Sequence, residues 1–296
     1  MAEHQHRRLL ALVALAEEAE EAGEFAPYLA DGDPAVRRTA VEVLTEAAPS
    51  DAGPALARAM GDPEPTVRAA AVEGLRELRE LIAADGEFHG AVTAVAGSAD
   101  PAVRAAVVRL LREHRLGTPA DFRAAAGDPD PGVRREAVAG LVSQNDVAAV
   151  AGLAGDGEAL VRLAVARGLA TIGDPAALPT LDRLAGDGDV RVRAAALEGL
   201  GVVGCPPDLS GVVLRSLGDS AWEIRKGAVI ALGAASEGLA VEPLLGALAD
   251  GNLDVRKAAV QSLTRWARAR PEVRHALEGA LDDPDADVRG YARLAL

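Results

Sequence analysis

Aromatic side chains are scarce in this chain, since Phe, Trp and Tyr together make up 2% of its 296 residues. A core with so few rings has to be filled by aliphatic side chains and by helix backbones that approach closely. β-Strands favour aromatic and β-branched residues, whereas the Ala and Leu that dominate the hydrophobic 49% of this chain favour helices. The composition therefore predicts an all-α protein.

Cysteine and long apolar runs are also missing. A lone Cys205 excludes an intramolecular disulfide. No apolar run reaches the roughly 20 residues of a membrane-spanning helix. Residues 1–24 place four glutamates directly after their apolar part, which is atypical of a secretory signal. We therefore expect a cytoplasmic protein with no membrane partner.

Lysine is nearly absent, since Lys226 and Lys257 are the only two. The chain carries 45 acidic against 31 basic side chains, which gives a net charge of −14. A field of this sign keeps a protein soluble and repels phosphate backbones. The charge therefore disfavours generic binding to nucleic acid or to an anionic membrane.

What the chain does contain is a repeat: a Val-Arg pair, once Ile-Arg, follows an acidic turn and precedes an Ala/Val/Leu run. The nine arginines are Arg37, Arg68, Arg104, Arg134, Arg162, Arg193, Arg225, Arg256 and Arg289. Their successive spacings are 31, 36, 30, 28, 31, 32, 31 and 33 residues. A period of this length indicates a solenoid of stacked units, each in contact with its neighbours.

Within one repeat, the residues around the Arg predict a helix start. The position four before the Arg is Asp, Glu or Asn in eight repeats, and the next position is Pro in four. An oxygen-bearing cap followed by Pro is a typical helix N-terminus. An apolar stripe then recurs at −1, +3, +4 and +7, as in Val192, Ala196, Leu197 and Leu200. The segment before each turn, for example residues 175–184 or 239–248, supplies the first helix of the pair.

The pattern Asp-Pro-x-x-Val-Arg-x-x-Ala-Val-x-x-Leu, followed by Ile-Gly-Asp-Pro-Ala-Ala-Leu-Pro, resembles the HEAT repeat in its short bacterial and archaeal form, first noted in phycobilin lyases. The likeness extends from about Glu24 to Leu296. It implies an α-solenoid, a right-handed superhelix of about nine helix pairs with the second helices on the concave side. It also implies that each repeated Arg pairs with turn carboxylates of its own or the adjacent unit.

The ends of the repeat array predict the domain organisation. Residues 24–296 form one solenoid domain, and residues 1–23 form an N-terminal capping helix, with an amphipathic, Glu-rich helix over residues 3–22. In the ninth repeat Arg293 stands where other repeats place Val or Leu, so we interpret it as a cap residue. Capped ends predict a monomer.

No catalytic constellation is evident, so we expect a protein that is not an enzyme and that needs no cofactor or metal. Apart from an N-terminal His-Gln-His, the histidines are far apart in sequence, and none precedes Glu as in HEAT-type di-iron hydroxylases. Cys205 precedes two prolines at a predicted helix start, a place that can lower a thiol pKa, but it has no evident base partner, so we interpret it as a packed or idle thiol and not a nucleophile. The five histidines are His4, His6, His89, His114 and His275.

Two classes of function remain open. An interaction scaffold that holds a protein or peptide in its concave face needs no special residue. A bilin-lyase-like or cofactor-maturation helper is implied only by the repeat subtype. A third reading, a HEAT-like alkylpurine DNA glycosylase, would use Trp266 within the locally basic Arg265–Arg270 stretch, but the net charge disfavours it. We expect Trp222 and Trp266 to pack at helix ends.

One departure from the period is the 36-residue step between Arg68 and Arg104. There, residues 76–82 are expected to prolong a second helix, with Arg76 and Glu80 paired along one face. A solvated extension and a partner-contact ridge over residues 76–89 are the two interpretations.

The candidate partner-binding residues occupy the positions one and five after each Arg, which the apolar stripe leaves free of the core. Their charges are mixed in sign and interrupted by apolar residues, which is typical of a protein-binding groove. They are Arg38, Glu42, Glu73, Arg109, Arg135, Leu163, Arg167, Glu198, Lys226, Ile230, Lys257 and Gln261.

Overall fold

The computed structural model describes residues 2–296, with the side chains of residues 2–5, 17 and 18 outside the description. Over that range the backbone forms nineteen α-helices and six short 3-10 helices and contains no strand. The prediction of an all-α solenoid is confirmed. The chain is divided into two compact units, Met1–Gly140 and Leu141–Leu296.

The first unit contains the extra N-terminal helix and four helix pairs. Its helices are α1 (Ala2–Glu18), α2 (Ala26–Leu29), α3 (Pro34–Ala47), α4 (Ala52–Ala59), α5 (Pro65–Glu77), α6 (Gly86–Ala94), α7 (Pro101–Glu113), α8 (Pro119–Ala125) and α9 (Pro131–Ser143), the last of which extends past the unit boundary. Helices α1, α3, α5 and α7 pack on one another in sequence.

The second unit contains five helix pairs. Its helices are α10 (Val147–Gly152), α11 (Ala159–Ile172), α12 (Leu178–Leu184), α13 (Val190–Val203), α14 (Ser210–Ser216), α15 (Trp222–Gly233), α16 (Glu237–Ala247), α17 (Leu253–Leu263), α18 (Pro271–Gly279) and α19 (Ala286–Ala295). Helices α11, α13, α15, α17 and α19 pack on one another in sequence. In both units the odd-numbered helices from α3 onward carry the repeated Arg, so the nine predicted second helices are all present.

The second helices begin where the turn carboxylates were expected to cap them. The side chain of Asp33 accepts a hydrogen bond from the Ala35 N–H at 2.9 Å, and Asp189 accepts one from Arg191 at 2.8 Å. Glu64 and Glu158 hold the same place but accept no capping bond. Their side chains are one methylene longer, so the carboxylate lies farther from the first-turn N–H groups.

The apolar stripe of each second helix forms the core between the two helices of a pair. In α13, Val192, Ala196, Leu197 and Leu200 are all fully buried, as the period predicted. Side chains at first-helix positions such as Leu181 of α12 are also fully buried. This burial is the main stabilising contribution to each pair, at about 25 cal/mol for every Å² of apolar surface removed from water.

Helices α13 and α15 approach closely because glycines face the contact. A Cβ on Gly201 would lie 2.9 Å from the carbonyl oxygen of Ile230, and one on Gly227 would lie 3.0 Å from that of Ala194. Any larger side chain would push the two backbones apart. These two glycines stand eight and two residues after the Arg of their repeats.

The N-terminal helix is shorter than predicted. Helix α1 ends at Glu18 rather than at residue 22, and a 3-10 turn over Ala22–Phe25 follows it. It packs on α3 with Leu12 fully buried. Glu20 and Glu21 lie beyond the helix, and the side chains of Glu17 and Glu18 lie outside the described residues. The capping role of α1 and the single-domain boundary at residue 24 stay predictions.

The predicted helix extension over residues 76–82 is wrong. Helix α5 ends at Glu77, and a turn follows in which the N–H groups of Leu81 and Ile82 bond to the Leu78 carbonyl at 2.8 and 3.1 Å. Ile82 then lies against Gly53 of α4, where a Cβ would come within 2.8 Å of it. This tertiary contact, which helical periodicity does not reveal, stabilises the turn.

The predicted pair of Arg76 with Glu80 is also absent. Arg76 bonds Glu73, three residues earlier on α5, and Glu80 pairs with Arg79 at 3.1 Å. Because the helix has ended, Glu80 no longer lies one turn beyond Arg76 on the same face.

Candidate functional site

The repeated arginines bind the turn of the following repeat. Arg162 donates from Nε and Nη2 to the two carboxylate oxygens of Asp187 at 2.7 and 2.8 Å, and Nη1 donates to the Asp156 carbonyl at 2.8 Å. The same two-pronged contact joins Arg37 to Asp62, Arg104 to Asp128, Arg225 to Asp250 and Arg256 to Asp283. The pairing that the family resemblance implied is confirmed.

The aspartate partner stands six residues before the next Arg, a position that sequence reasoning did not single out. Asp occupies it in every repeat but the third, where Ser98 stands. There Arg68 bonds Asp100 instead, with Nε at 2.9 Å from the carboxylate. The recurrence of Asp six residues before the Arg is visible in the sequence. It was overlooked because the acidic residue four before the Arg is enough by itself to explain the helix start.

These ion pairs are structural. Side chains such as Arg37 and Asp62 are mostly buried, and the hydrogen bond from Arg162 lowers the pKa of Asp187. Arg104 lowers the pKa of Asp128 in the same way. A fork-shaped guanidinium already bound by one carboxylate and one carbonyl has few donors left for a partner. These arginines therefore have little to offer a partner, and the +1 and +5 side chains of the second helices remain the candidates.

In the first unit, the predicted partner-binding residues are spread along α3, α5, α7 and α9. Arg38 and Glu42 are exposed and pair at 2.8 Å, and Glu73 pairs with Arg76. Arg109 is half-buried, whereas Arg135 is exposed and makes no ion pair within the described residues. Arg38, Glu42, Glu73 and Arg135 thus present polar side chains to solvent, and Arg109 does so in part.

In the second unit, three of the predicted residues gather around a pocket of about 190 Å³. Arg167 comes from α11, Glu198 from α13 and Lys226 from α15, and the Lys226 ammonium lies 3.2 Å from the Glu198 carboxylate. The remaining wall is formed by the first turns of α13 and α15. It consists of Val190, Arg191, Ala194, Ala195, Trp222 and Glu223.

Two other predicted residues of the second unit are less accessible than expected. Leu163 of α11 is only 8% exposed, so it packs in the interior and is wrong as an accessible contact. The same +1 position on α13 is Ala194, also buried. The Ala194 carbonyl lies close to Gly227 of α15. Neighbouring second helices approach so closely that the +1 position is buried in the contact between them. Ile230 is half-buried against Gly201.

The last two predicted residues lie on α17. The Lys257 ammonium lies 2.9 Å from Asp287 and 3.5 Å from Asp254, and these carboxylates raise its pKa, the hydrogen bond to Asp287 most strongly. Gln261 is exposed. Lys257 is thus held between α17 and α19, while Gln261 is available to a partner.

Trp222 is the pocket residue that sequence reasoning missed. It is the first residue of α15 and is half-buried in the pocket wall. Ala221, which precedes it, has no side-chain oxygen to cap the helix. The sequence signal was the register of Trp222: it stands three before Arg225, where the first four repeats have Pro. Trp266, in contrast, is almost fully buried, with the Arg265 guanidinium 4.7 Å from its ring centroid. Buried in this way, it is not placed to stack on a base.

Cys205 is inert in its environment. It is buried, and desolvation, reinforced by the negative charge of Asp208, raises its thiol pKa. The interpretation of Cys205 as a packed thiol is therefore confirmed, and its place near a helix start does not lower its pKa. Among the side chains that the structure describes, no group of three His, Cys, Asp or Glu residues is placed to hold a metal ion, and the side chain of His4 lies outside that set.

None of the helices within residues 2–296 combines the length and the apolar character that crossing a membrane requires.

Solved structures similar to this chain share its fold. An engineered protein aligns with a TM-score of 0.58 and 18% identity over 96% of this chain and 90% of that one. Kap95p, in a structure describing its effect on RanGDP, aligns with a TM-score of 0.61 and 15% identity over 93% of this chain and 43% of its own. The Escherichia coli protein YibA aligns with a TM-score of 0.61 and 18% identity over 82% of this chain and 91% of its own. No curated protein matches the chain.

A family model for HEAT repeats matches residues 24–85, 149–213 and 211–296. These segments contain helix pairs of both units and together cover more than half of the sequence. With the Arg–Asp junctions already described, the match leads to one conclusion: the chain belongs to the HEAT-repeat family.

Proposed function

We propose that this protein is a non-catalytic scaffold that binds a protein or peptide partner through the exposed face of its second helices. The observation that carries the proposal is the clustering of Arg167, Glu198 and Lys226 with Trp222 around one pocket. Interaction surfaces combine aromatic and Arg side chains with a polar rim in this manner. The family resemblance would place this face on the concave side of the solenoid.

The division of labour within each repeat supports the same proposal. The Arg that recurs in every unit is committed to the junction with the next turn, whereas the +1 and +5 positions differ from unit to unit. Stacked repeats commonly recognise partners through such variable positions on a regular framework. Kap95p, whose structure describes its binding to RanGDP, offers an analogy of fold and no more.

A charge-reversal experiment tests the proposal. Arg135, Arg167 and Lys226 are changed together to Glu, and the matched control changes Arg183, Arg215 and Arg268, which are exposed and lie outside the second helices. Both variants alter the net charge equally. We expect only the first to abolish capture of the protein's partner, identified beforehand with the wild type by mass spectrometry, while both keep wild-type helicity and melting.

The alternative contact site, residues 76–89, is tested beside it. Leu81 in the turn after α5 is 65% exposed, which makes it the residue to change. If Leu81→Asp abolishes capture and the triple reversal does not, the partner binds the turn and the second-helix proposal is wrong. If both control and triple variants lose capture equally, net charge alone governs binding and the proposal also fails.

A further inference from the structure

The first residue of the second helices differs between the two units. In the first unit, α3, α5, α7 and α9 all begin with Pro. In the second unit, the consecutive helices α13, α15 and α17 begin with Val190, Trp222 and Leu253. Val190 is 38% and Leu253 39% exposed, and Trp222 is half-buried. Three large apolar side chains therefore stand at the same register on neighbouring helices, in contact with solvent.

The spacing of this row follows from helix packing. Neighbouring helices in contact lie about 8–10 Å apart. A peptide in the polyproline II conformation advances about 3.1 Å per residue with three residues per turn, so every third side chain lies on the same side, about 9 Å from the last. A partner segment lying across the three helices in that conformation would therefore meet one apolar position with every third residue.

The 190 Å³ pocket lies between α13 and α15, beside the first two positions of the row. Val190 and Trp222 form its apolar walls, and the small Ala194 and Ala195 form its floor. A recess of this size and lining suits one large apolar side chain. Aromatic anchors in desolvated pockets supply a large share of binding energy at protein interfaces.

Charge at the pocket favours an acidic neighbour for that side chain. Arg191 is held by Asp189 at 2.9 Å, whereas Arg167 is exposed and has no ion pair within the described residues. Lys226 has only the half-exposed Glu198, a contact of little net stability. The Arg167 guanidinium therefore has N–H donors available to a partner's carboxylate, and the Lys226 ammonium adds a second positive charge beside it.

The pocket's own carboxylates argue against phosphate. Glu198 and Glu223 line the same recess, and Glu223 is favoured where it stands by the first turn of α15. A doubly charged phosphate would face both carboxylates within a chain of net charge −14. A single carboxylate beside an apolar group is repelled less and still satisfies Arg167.

We infer that this surface binds an acidic peptide segment of a partner protein in the polyproline II conformation, with large apolar residues at every third position and Glu or Asp between them. One of the apolar side chains enters the pocket beside Trp222, and a neighbouring carboxylate binds Arg167 and Lys226. The inference rests on the proposed scaffold function and specifies its partner.

Synthetic peptides test it on the full chain. The probe is acetyl-Leu-Glu-Gly-Leu-Glu-Gly-Leu-amide, and the control, acetyl-Leu-Leu-Glu-Gly-Glu-Gly-Leu-amide, has the same composition with the spacing broken. Binding is measured by titration calorimetry and by tryptophan fluorescence, with Trp222→Phe used to assign the fluorescence change. We expect the probe to bind at least about tenfold more tightly than the control, a difference of about 1.4 kcal/mol.

Variants then assign the contacts. Trp222→Ala and Arg167→Glu should each weaken probe binding about tenfold, and a probe with Lys in place of Glu should bind Arg167→Glu more tightly than it binds the wild type. Arg183→Glu is the matched control and should bind as the wild type does. Circular dichroism melting shows that each variant is folded. Trp222→Phe keeps an aromatic ring in the pocket wall and should therefore retain most of the affinity.

Four outcomes would overturn the inference. Three are equal binding of probe and control, wild-type affinity in Trp222→Ala, and at least tenfold tighter binding of a phosphoserine-for-Glu probe, which would make this a phosphate site. The fourth is the absence of any probe binding at millimolar concentration. The capture experiment with the triple reversal is independent: if it succeeds while the peptides fail, the scaffold function stands and only this partner chemistry is wrong.

Discussion

In the unit Met1–Gly140 the three phenylalanines fill the interior, since Phe25, Phe88 and Phe122 are all fully buried. The unit Leu141–Leu296 contains no Phe, and one of its two tryptophans, Trp222, lines a solvent-facing pocket. Both units nevertheless use the same Arg–Asp junction between repeats. A fixed junction thus leaves the packing of the first helices and the exposed face of the second helices free to differ.

The largest expected effect compares two glycines at the same position of their repeats, +6 after the Arg. A Cβ on Gly140 would collide with the ring of Phe122, which is fully buried and has no room to rotate. A Cβ on Gly199 would meet a methyl of Leu181 at 2.9 Å, which a change of rotamer relieves. We expect Gly140→Ala to destabilise by about 3 kcal/mol and Gly199→Ala by about 1 kcal/mol or less, measured by urea unfolding. Equal effects would show that ring and aliphatic packing are equally adaptable here.

The junction itself should behave alike in both units. Arg104→Ala and Arg162→Ala each remove a two-pronged bond and leave a mostly buried Asp unpaired, so we expect each to destabilise by about 2 kcal/mol. Arg193 lies 3.9 Å from Asp219 and bonds mainly to the Asp187 carbonyl, so Arg193→Ala should cost about 1 kcal/mol. If the arginines are instead partner contacts, melting will be unchanged and capture lost.

Acid should weaken the first unit through His114. Burial lowers the pKa of its imidazole, against the opposing charges of Glu113 and Glu80, and Nε2 has neither solvent contact nor a hydrogen-bond partner within the described residues. The unfolded chain therefore takes up the proton first. The contribution of His114 to the free energy of unfolding is fully present above the ordinary pKa of histidine. It is lost as the pH falls from that value through the lowered pKa of the folded state.

We expect melting temperatures at pH 7.5 and 5 to differ by a few degrees more in the wild type than in His114→Leu. The ring stands edge-on to Phe88 at 5.1 Å, so Leu keeps part of the packing. His275→Gln is the control, because that side chain is exposed. The same pH sensitivity in His114→Leu would assign the effect to carboxylates, such as Asp128 and Asp187, whose pKa is lowered by Arg.

The smallest effect comes from exchanging the first residues of second helices. The residues before Val190 and Leu253 have extended backbones, with φ and ψ of −88° and 127° for Asp189 and −95° and 130° for Asn252, as Pro requires. Val190→Pro and Leu253→Pro should therefore leave stability unchanged or raise it by about 0.5 kcal/mol. Peptide affinity should fall, because the exposed apolar groups are lost. Destabilisation above about 1 kcal/mol would mean that these side chains pack in the core.

The sequence predicted the helices well because their determinants are local. Caps such as Asp33, Pro at the first helical position and the apolar stripe of α13 are all read within one turn or two. It failed where the structure depends on residues that are distant in sequence. The end of α5 depends on Ile82 packing against Gly53, and the burial of Leu163 depends on how closely its helix is packed. Trp222 was visible in the sequence, but its pocket exists only when α11, α13 and α15 are assembled.

Each junction aspartate belongs to two bonds at once, and this bears on how such a chain evolves. Asp187 receives Arg162 on its carboxylate, while its carbonyl accepts from Arg193 of its own repeat. Every repeat but the third, which has Ser98 in place of the aspartate, presents the same acceptor to the Arg of the preceding repeat. A repeat that is duplicated or deleted can therefore form the same Arg–Asp junction with its new neighbour. Recombination between repeats of one unit can therefore lengthen or shorten the array without inventing a new interface.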